Sequence, residues 1–170
     1  MRIAIAVDDS EQAATVVEAL APWLRRTEVE VHLISVVDMS QVHAAPRSGQ
    51  ANFEPTPAIQ GGRPVGQQPM PEAAESHGQA LERAHNEREE ALLGLVDDSM
   101  DGLEVQVHVI SDDATADAIA KYALDINADL VAVGTHGRSG LSRALMGSIA
   151  ERVVLRSEVP VIVVRPGMHT

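Results

Sequence analysis

The sequence of 170 residues contains no cysteine and almost no aromatic residues. The lack of cysteine excludes disulfide bonds, thiolate metal sites and cysteine nucleophiles. Trp23, Phe53 and Tyr122 are the only aromatic residues, so valine, alanine, leucine and isoleucine must supply the core. Hydrophobic residues make up 45% of the chain, which is sufficient for a single domain with a substantial core.

Long apolar runs are also missing. No hydrophobic stretch approaches the roughly 20 residues that a transmembrane helix needs. The amino terminus enters a strand pattern without the layout of a signal peptide. We therefore expect a cytoplasmic protein that has no membrane partner.

Lysine is nearly absent as well. Lys121 is the only one, beside 25 acidic residues, and the net charge is −12. Such a charge argues against nucleic acid as a partner, because nucleic-acid-binding proteins carry a basic surface. An acidic surface with little lysine is typical of a salt-rich cytoplasm, where dissolved ions screen the repulsion between carboxylates. The composition therefore favours a halophilic origin over an ordinary acidic protein.

Apolar segments with the pattern of buried strands alternate with helical patterns along the chain. This alternation predicts an α/β fold, with an open sheet of five parallel strands and helices on both faces. We expect one domain that spans residues 1–170. The predicted strands are residues 2–7, 29–37, 104–110, 129–133 and 159–164.

One segment, at about residues 40–78, does not follow the alternation. It contains six of the nine prolines and five of the twelve glycines, and it has no sustained hydrophobic period. We expect an irregular insertion there. It is either a surface loop without a role in binding or a flap near a ligand, because it leaves the carboxyl end of the second strand.

The clearest functional signal is the glycine-rich segment 134–148, between the fourth strand and the last helix. Glycine lets the backbone approach a phosphate, and a helix amino terminus offers unpaired N–H groups and the positive end of the helix dipole. Arg138 and Arg143 lie in this segment, while residues 130–150 contain no acidic residue. These features predict an anion site, and a surface loop with glycines in its turns is the alternative.

The spacing G-x2-G-x9-G-S of residues 134–148 resembles the ATP-binding signature of the universal stress protein family. Residues 128–138 also resemble that family's fourth strand and loop, and residues 160–165 resemble its last strand. The resemblance covers nearly the whole chain except residues 40–78. It implies a Rossmann-like fold, similar to the adenine nucleotide alpha hydrolases, with the strand order 3-2-1-4-5.

A nucleotide is then expected at the carboxyl ends of the first and fourth strands, where the strand order reverses. Asp8 can accept hydrogen bonds from a ribose or an adenine amino group, or it can cap the next helix. Val7 and Val36 are expected to contact the purine. Arg138 either contacts phosphate or remains in solvent, and His136 either contacts phosphate or sugar or remains in solvent. The full set of predicted site residues is Val7, Asp8, Val36, Val133, Gly134, His136, Gly137, Arg138, Gly147, Ser148 and Ile149.

Two helix starts near this site have predicted caps. Ser148 and Glu151 have the spacing of a capping box. Asp112 or Asp113 is expected to cap the helix after the third strand. Universal stress proteins often have a glycine at that point, so an acid there is a departure that would narrow the crevice or repel phosphate.

The sequence thus predicts a regulatory, stress-response module that binds ATP or a related adenine nucleotide. Mg²⁺ or Mn²⁺ is expected only through the phosphates. No residue is assigned a catalytic role, because the lysine-containing P-loop, zinc motifs and hydrolase nucleophile motifs are missing. A slow ATPase or autophosphorylating enzyme that uses the same pocket is the first alternative. A receiver-like phosphoacceptor domain, with Asp8, Asp9 and an acid after the third strand, is the second.

The last predicted strand, residues 159–164, should lie at an edge of the sheet. An apolar edge strand with unpaired backbone groups needs a cover. Two copies that pair these strands antiparallel about a two-fold axis would close both edges. The family resemblance implies the same arrangement, so we expect a homodimer.

Salt should stabilise the fold, because the chain carries a net charge of −12. The screening length falls to about 3 Å at 1 M salt, which removes most of the repulsion between surface carboxylates. We expect the melting temperature, followed by circular dichroism, to rise between dilute buffer and about 2 M KCl. A flat or falling melting temperature would contradict salt adaptation.

Overall fold

The fold is an open, parallel, five-stranded sheet with helices on both faces. The computed structural model describes residues 1–8, 10, 12–43, 76–135 and 146–165. The strands are β1 Arg2–Ala6, β2 Glu30–Asp38, β3 Val105–Asp112, β4 Leu130–Gly134 and β5 Val161–Val164. The helices are α1 Gln12–Leu24, α2 His77–Ser99, α3 Thr115–Asp125 and α4 Ser148–Arg156, with a 3₁₀ turn at Met39–Gln41. The order β3-β2-β1-β4-β5 and the parallel pairing of all neighbours confirm the predicted fold class.

The three central strands, β2, β1 and β4, are buried on both faces, which explains their nearly continuous apolar sequences. Successive residues of a strand point to opposite faces, so the sheet serves two hydrophobic cores. Leu33 belongs to the core that α1 and α2 cover, and its neighbour Ile34 belongs to the core that α3 and α4 cover. Helices α1 and α2 therefore lie on one face of the sheet, and helices α3 and α4 lie on the other.

The helix α2 begins inside the predicted insertion. The hydroxyl of Ser76 accepts a hydrogen bond from the Gln79 N–H at 3.2 Å, and the Gln79 side chain accepts one from the Ser76 N–H at 2.8 Å. This capping box starts the helix at His77, within one residue of the insertion boundary predicted at about residue 78. Residues 44–75 of the insertion lie outside the described part of the chain. None of the described helices is both long and apolar enough to cross a membrane.

The prediction that Asp112 or Asp113 caps α3 is wrong. Ala114 is the N-cap, and no side chain bonds to the first turn from that position. The Oδ1 atom of Asp112 instead accepts a hydrogen bond from the Ala114 N–H at 2.7 Å, which closes a turn just before the helix. Aspartate favours such turns because its short side chain reaches the backbone two residues ahead.

Two glycines at or near the end of α2 allow a test of backbone conformation. Gly102 has a φ of 79°, which disfavours any residue with a Cβ, whereas Gly94 lies within α2, with open space where a Cβ would be. We expect Gly102→Ala to lower the free energy of unfolding by about 1–2 kcal/mol. The matched variant Gly94→Ala should raise it by about 0.5–1 kcal/mol. Urea denaturation followed by circular dichroism would measure both, and a change of the same sign in the two variants would contradict this assignment.

Candidate functional site

A cavity of about 730 Å³ opens at the carboxyl edge of the sheet, beyond β1 and β2. The strand order reverses between β1 and β4, and α1 and α4 leave on opposite faces, so a crevice is expected at this edge. Three of the predicted site residues line the cavity: Asp8 after β1, Val36 of β2 and Ile149 of α4. The structure thus brings together residues that are far apart in the sequence.

Asp8 closes a turn and also faces the cavity. Its Oδ1 atom accepts hydrogen bonds from the N–H of Ser10 at 3.1 Å and from the Ser10 hydroxyl at 2.5 Å. Both bonds use the same carboxylate oxygen, so the second oxygen retains its capacity to accept from a ligand. The two roles that the sequence leaves open, turn formation and ligand contact, are therefore compatible.

The three predicted valines occupy different positions relative to the cavity. Val36 lines it, whereas Val7 and Val133 are buried in the two cores and are not among the lining residues. Val7 continues the pairing with β2 beyond β1, since its N–H donates to the Ile34 carbonyl at 3.0 Å. Val7 and Val133 therefore support the floor of the crevice from within the sheet.

The glycine-rich loop is closed at its base. Gly134 pairs with Val164 of β5, and the Thr135 N–H donates to the Val164 carbonyl at 2.8 Å. The N–H of Gly147 donates to the carbonyl of Thr135, so the chain returns to the end of β4 before α4 begins. This bond also occupies the Gly147 N–H. Among the predicted site residues, His136, Gly137 and Arg138 lie outside the described residues.

The amino end of α4 differs from the prediction. The N-cap is Gly147, with φ −63° and ψ 148°, and no side chain of the described residues caps the helix. The predicted capping box of Ser148 and Glu151 therefore does not form, because Ser148 is already the first helical residue. Ile149 lies in this same first turn, which places the amino end of α4 at the cavity. First-turn N–H groups without a capping side chain can bond an anion instead.

The sequence analysis did not predict that α2 forms one wall of the cavity. Arg83, Glu87 and Arg88 line the cavity from this helix. Arg83 pairs with Glu87 at 3.3 Å, and Arg88 donates to the hydroxyl of Ser35 at 2.9 Å. Ser35 is 1% exposed, so this bond satisfies a buried hydroxyl in the middle of β2. The charged pattern of α2 was visible in the sequence, but it does not indicate which side faces a ligand.

The first residue of α3, Thr115, lines the cavity, and neither Asp112 nor Asp113 is among the lining residues. The acid that replaces the family's glycine therefore does not form the cavity wall. Within the described residues, no group of three or more histidine, aspartate or glutamate side chains is placed to hold a metal ion.

Comparisons with known proteins agree with this architecture. The family model described as universal stress protein family matches residues 63–165. A universal stress protein of Methanocaldococcus jannaschii is 27% identical over 165 residues, which cover 96% of this chain and 81% of the relative.

Two solved structures share the fold. That of a second universal stress protein of M. jannaschii has a TM-score of 0.69 at 20% identity, and the match covers 99% of this chain and 97% of the other. That of a universal stress protein from Archaeoglobus fulgidus, in complex with dAMP, has a TM-score of 0.55 at 19% identity over 96% of both chains. Because the family model matches more than half of the sequence, this chain belongs to the universal stress protein family.

Proposed function

We propose that the cavity binds an adenine nucleotide, with ATP as the leading candidate, and that the protein acts as a regulatory module in the stress response. The observation that carries this proposal is the meeting of Asp8, Val36 and Ile149, from three separate elements, around one cavity. The uncapped amino end of α4 lies at the same place. The dAMP complex of the A. fulgidus relative supports an adenine nucleotide as the ligand class.

Each part of the nucleotide has a candidate partner. Val36 offers an apolar surface to the purine, and the second carboxylate oxygen of Asp8 accepts from the adenine amino group or a ribose hydroxyl. The first turn of α4, with Ser148, and the glycine-rich loop, with Gly137 and Arg138, receive the phosphates. Mg²⁺ or Mn²⁺ enters with the phosphates. This division of roles needs no catalytic group.

The Asp8 carboxylate can be tested without loss of the turn that it closes. In Asp8→Asn the remaining oxygen still accepts from Ser10, but the amide nitrogen replaces the acceptor that faces a ligand. We expect ATP affinity, measured by titration calorimetry, to fall by roughly ten- to a hundredfold, as for loss of a hydrogen bond to a charged group. The circular dichroism spectrum should remain unchanged.

The matched control is Asp112→Asn, since Asp112 closes a similar turn after β3 and does not line the cavity. Its ATP affinity should stay within about twofold of the wild type. Equal losses in both variants, or none in Asp8→Asn, would contradict the assigned contact. Phosphate release under saturating Mg-ATP, compared with the 1–10³ s⁻¹ that is typical of enzymes at about 25 °C, would reveal the alternative of an ATPase.

We also propose that the protein is a homodimer through β5. This strand is at the end of the strand order, so one side of its backbone has no neighbouring strand within the described chain. Exposed apolar side chains concentrate in the same region: five of the nine large ones among the described residues lie within 146–165. They are Met146, Ile149, Val154, Leu155 and Ile162. A second copy that pairs with this edge would cover part of this surface.

The hydrogen bonds of β5 identify which residue to change. The carbonyls of Pro160 and Val164 accept from β4, so the alternate residues Val161 and Val163 direct their backbone groups away from β4. Val163→Pro removes an outward N–H and leaves the bonds to β4 intact. We expect light scattering to give about twice the 18.1 kDa chain mass for the wild type and one chain mass for this variant.

Val163→Ala is the control, because it shortens the same side chain and retains the N–H. It should remain dimeric at the same concentration. A monomeric wild type would contradict the homodimer. A dimeric Val163→Pro protein with an unchanged melting temperature would show that the interface does not involve β5.

A further inference from the structure

Two histidines stack on each other at the opposite end of the α3 and α4 face from the cavity. The rings of His32, in β2, and His108, in β3, lie 5.4 Å apart with an angle of 13° between their planes. Tyr122 of α3 packs on both, with its ring 5.1 Å from that of His108 and 6.1 Å from that of His32. This histidine cluster, His32, His108 and Tyr122, is one of the contacts of α3 with β2 and β3.

His32 is held by hydrogen bonds at both ring nitrogens. Its Nε2 atom lies 3.1 Å from Glu30 Oε1, and its Nδ1 atom lies 3.1 Å from the Tyr122 hydroxyl. The Arg2 guanidinium, 2.9 Å from the Glu30 carboxylate, helps to hold the pKa of Glu30 below its usual value. Burial raises the pKa of Tyr122 to about 12, so its hydroxyl stays protonated. Thus Nε2–H donates to Glu30, and Tyr122 donates to Nδ1.

His108 is not held by hydrogen bonds at both ring nitrogens in this way. Its Nε2 atom is buried and has no hydrogen-bond partner among the described residues. Its ring contacts those of His32 from β2 and Tyr122 from α3, and the charged groups bonded to His32 beyond them are Glu30 of β2 and, through Glu30, Arg2 of β1. The only carboxylate among them, Glu30, already accepts from Arg2, His32 and the side chain of Gln106. A proton on His108 would therefore add a positive charge beside a carboxylate, Glu30, that is already bonded to three other groups.

The helix that rests on this cluster also reaches the cavity. Thr115, the first residue of α3, lines the cavity, and Tyr122 lies two turns further along the same helix. The two helices α3 and α4 share one hydrophobic core, to which Ile119 and Val153 contribute. Because α4 supplies Ile149 to the cavity, a shift of α3 and α4 on the sheet would move two of its walls.

We propose that the histidine cluster is an acid-sensitive contact, through which protonation of His108 loosens α3 from the sheet and lowers the affinity of the cavity for nucleotide. A proton on His108 places a charge on a ring whose buried Nε2 atom has no hydrogen-bond partner among the described residues, and α3 is the element that can yield, because it packs on the cluster from outside the sheet. The part that concerns affinity rests on the proposed function. The part that concerns stability does not.

The direction of the effect follows from the environment of His108. Burial first, and the nearby His32 second, lower the pKa of His108 from the ordinary value of 6.5. The folded protein therefore binds this proton less readily than the unfolded chain does. The stabilisation is fully present above the unfolded value of 6.5 and is lost as the pH falls through the lower folded value. By linkage, a nucleotide that favours the docked position of α3 must bind more weakly in acid.

The test compares the wild type with His108→Phe, which keeps a flat ring on His32 and cannot take up a proton. Melting temperatures without nucleotide and ATP affinities by titration calorimetry are measured at about pH 7.5 and about pH 5.5. We expect the wild type to lose more thermal stability in acid than the variant. Its ATP affinity should fall at least about fivefold more than that of the variant. Comparison of the two proteins cancels the titration of ATP itself.

Two further variants serve as a backup and as a control. His108→Gln also removes the proton site and gives the same readout if the phenylalanine protein does not fold. His77→Gln, at the exposed start of α2, removes a histidine outside the cluster and should respond to pH as the wild type does.

The outcomes separate this inference from the proposed function. Equal acid responses of the wild type and both His108 variants would overturn the inference. A difference in melting temperature with equal affinity changes would overturn its link to the cavity. No ATP binding at either pH, with the difference in melting temperature intact, would contradict the proposed ligand and support the acid-sensitive contact.

Discussion

The parallel pairing of β1 with β4 is the contact on which the rest of the structure depends. Its register places Ala6 beside Val133, so both strands end at the same edge of the sheet. The chain then leaves toward opposite faces, because α1 contributes to one core and α4 to the other. The cavity opens at this edge, beside the point where the strand order reverses. Residues that directly follow the two strands are placed at this edge by topology alone.

The cavity combines an acidic lining with the amino end of a helix, in a chain that has one lysine and a net charge of −12. Its lining contains the acids Asp8, Asp38 and Glu87, and one of its two arginines is paired with Glu87. At the α4 end the helix backbone contributes positive potential, and no described side chain caps the first turn of that helix. Backbone N–H groups keep their partial charge whatever the surface composition, so such a site is compatible with an acidic surface.

The two ends of the layer formed by α3 and α4 contact different parts of the molecule. At the carboxyl edge these helices meet the cavity, and toward the other edge α3 rests on the stacked rings of His32 and His108. Most of the core is aliphatic, which packs closely but has no response to pH. The stacked histidines are titratable groups of the sheet on which Tyr122 of α3 packs, and the proposed response to acid is therefore assigned to them.

The sequence by itself determined the five strands, the α/β fold and the location of the glycine-rich segment, because these follow from local hydrophobic patterns and a motif of fixed spacing. It also identified Asp8, Val36 and Ile149, through the family resemblance. It could not determine the start of α4, because the Gly147 N–H bonds to Thr135 only once the loop is closed. Tertiary structure alone decided that α2 turns Arg83 and Arg88 toward the cavity and that His32 and His108 stack. Both depend on how helices dock and which strands become neighbours. The spacing of residues within one segment determines neither of these.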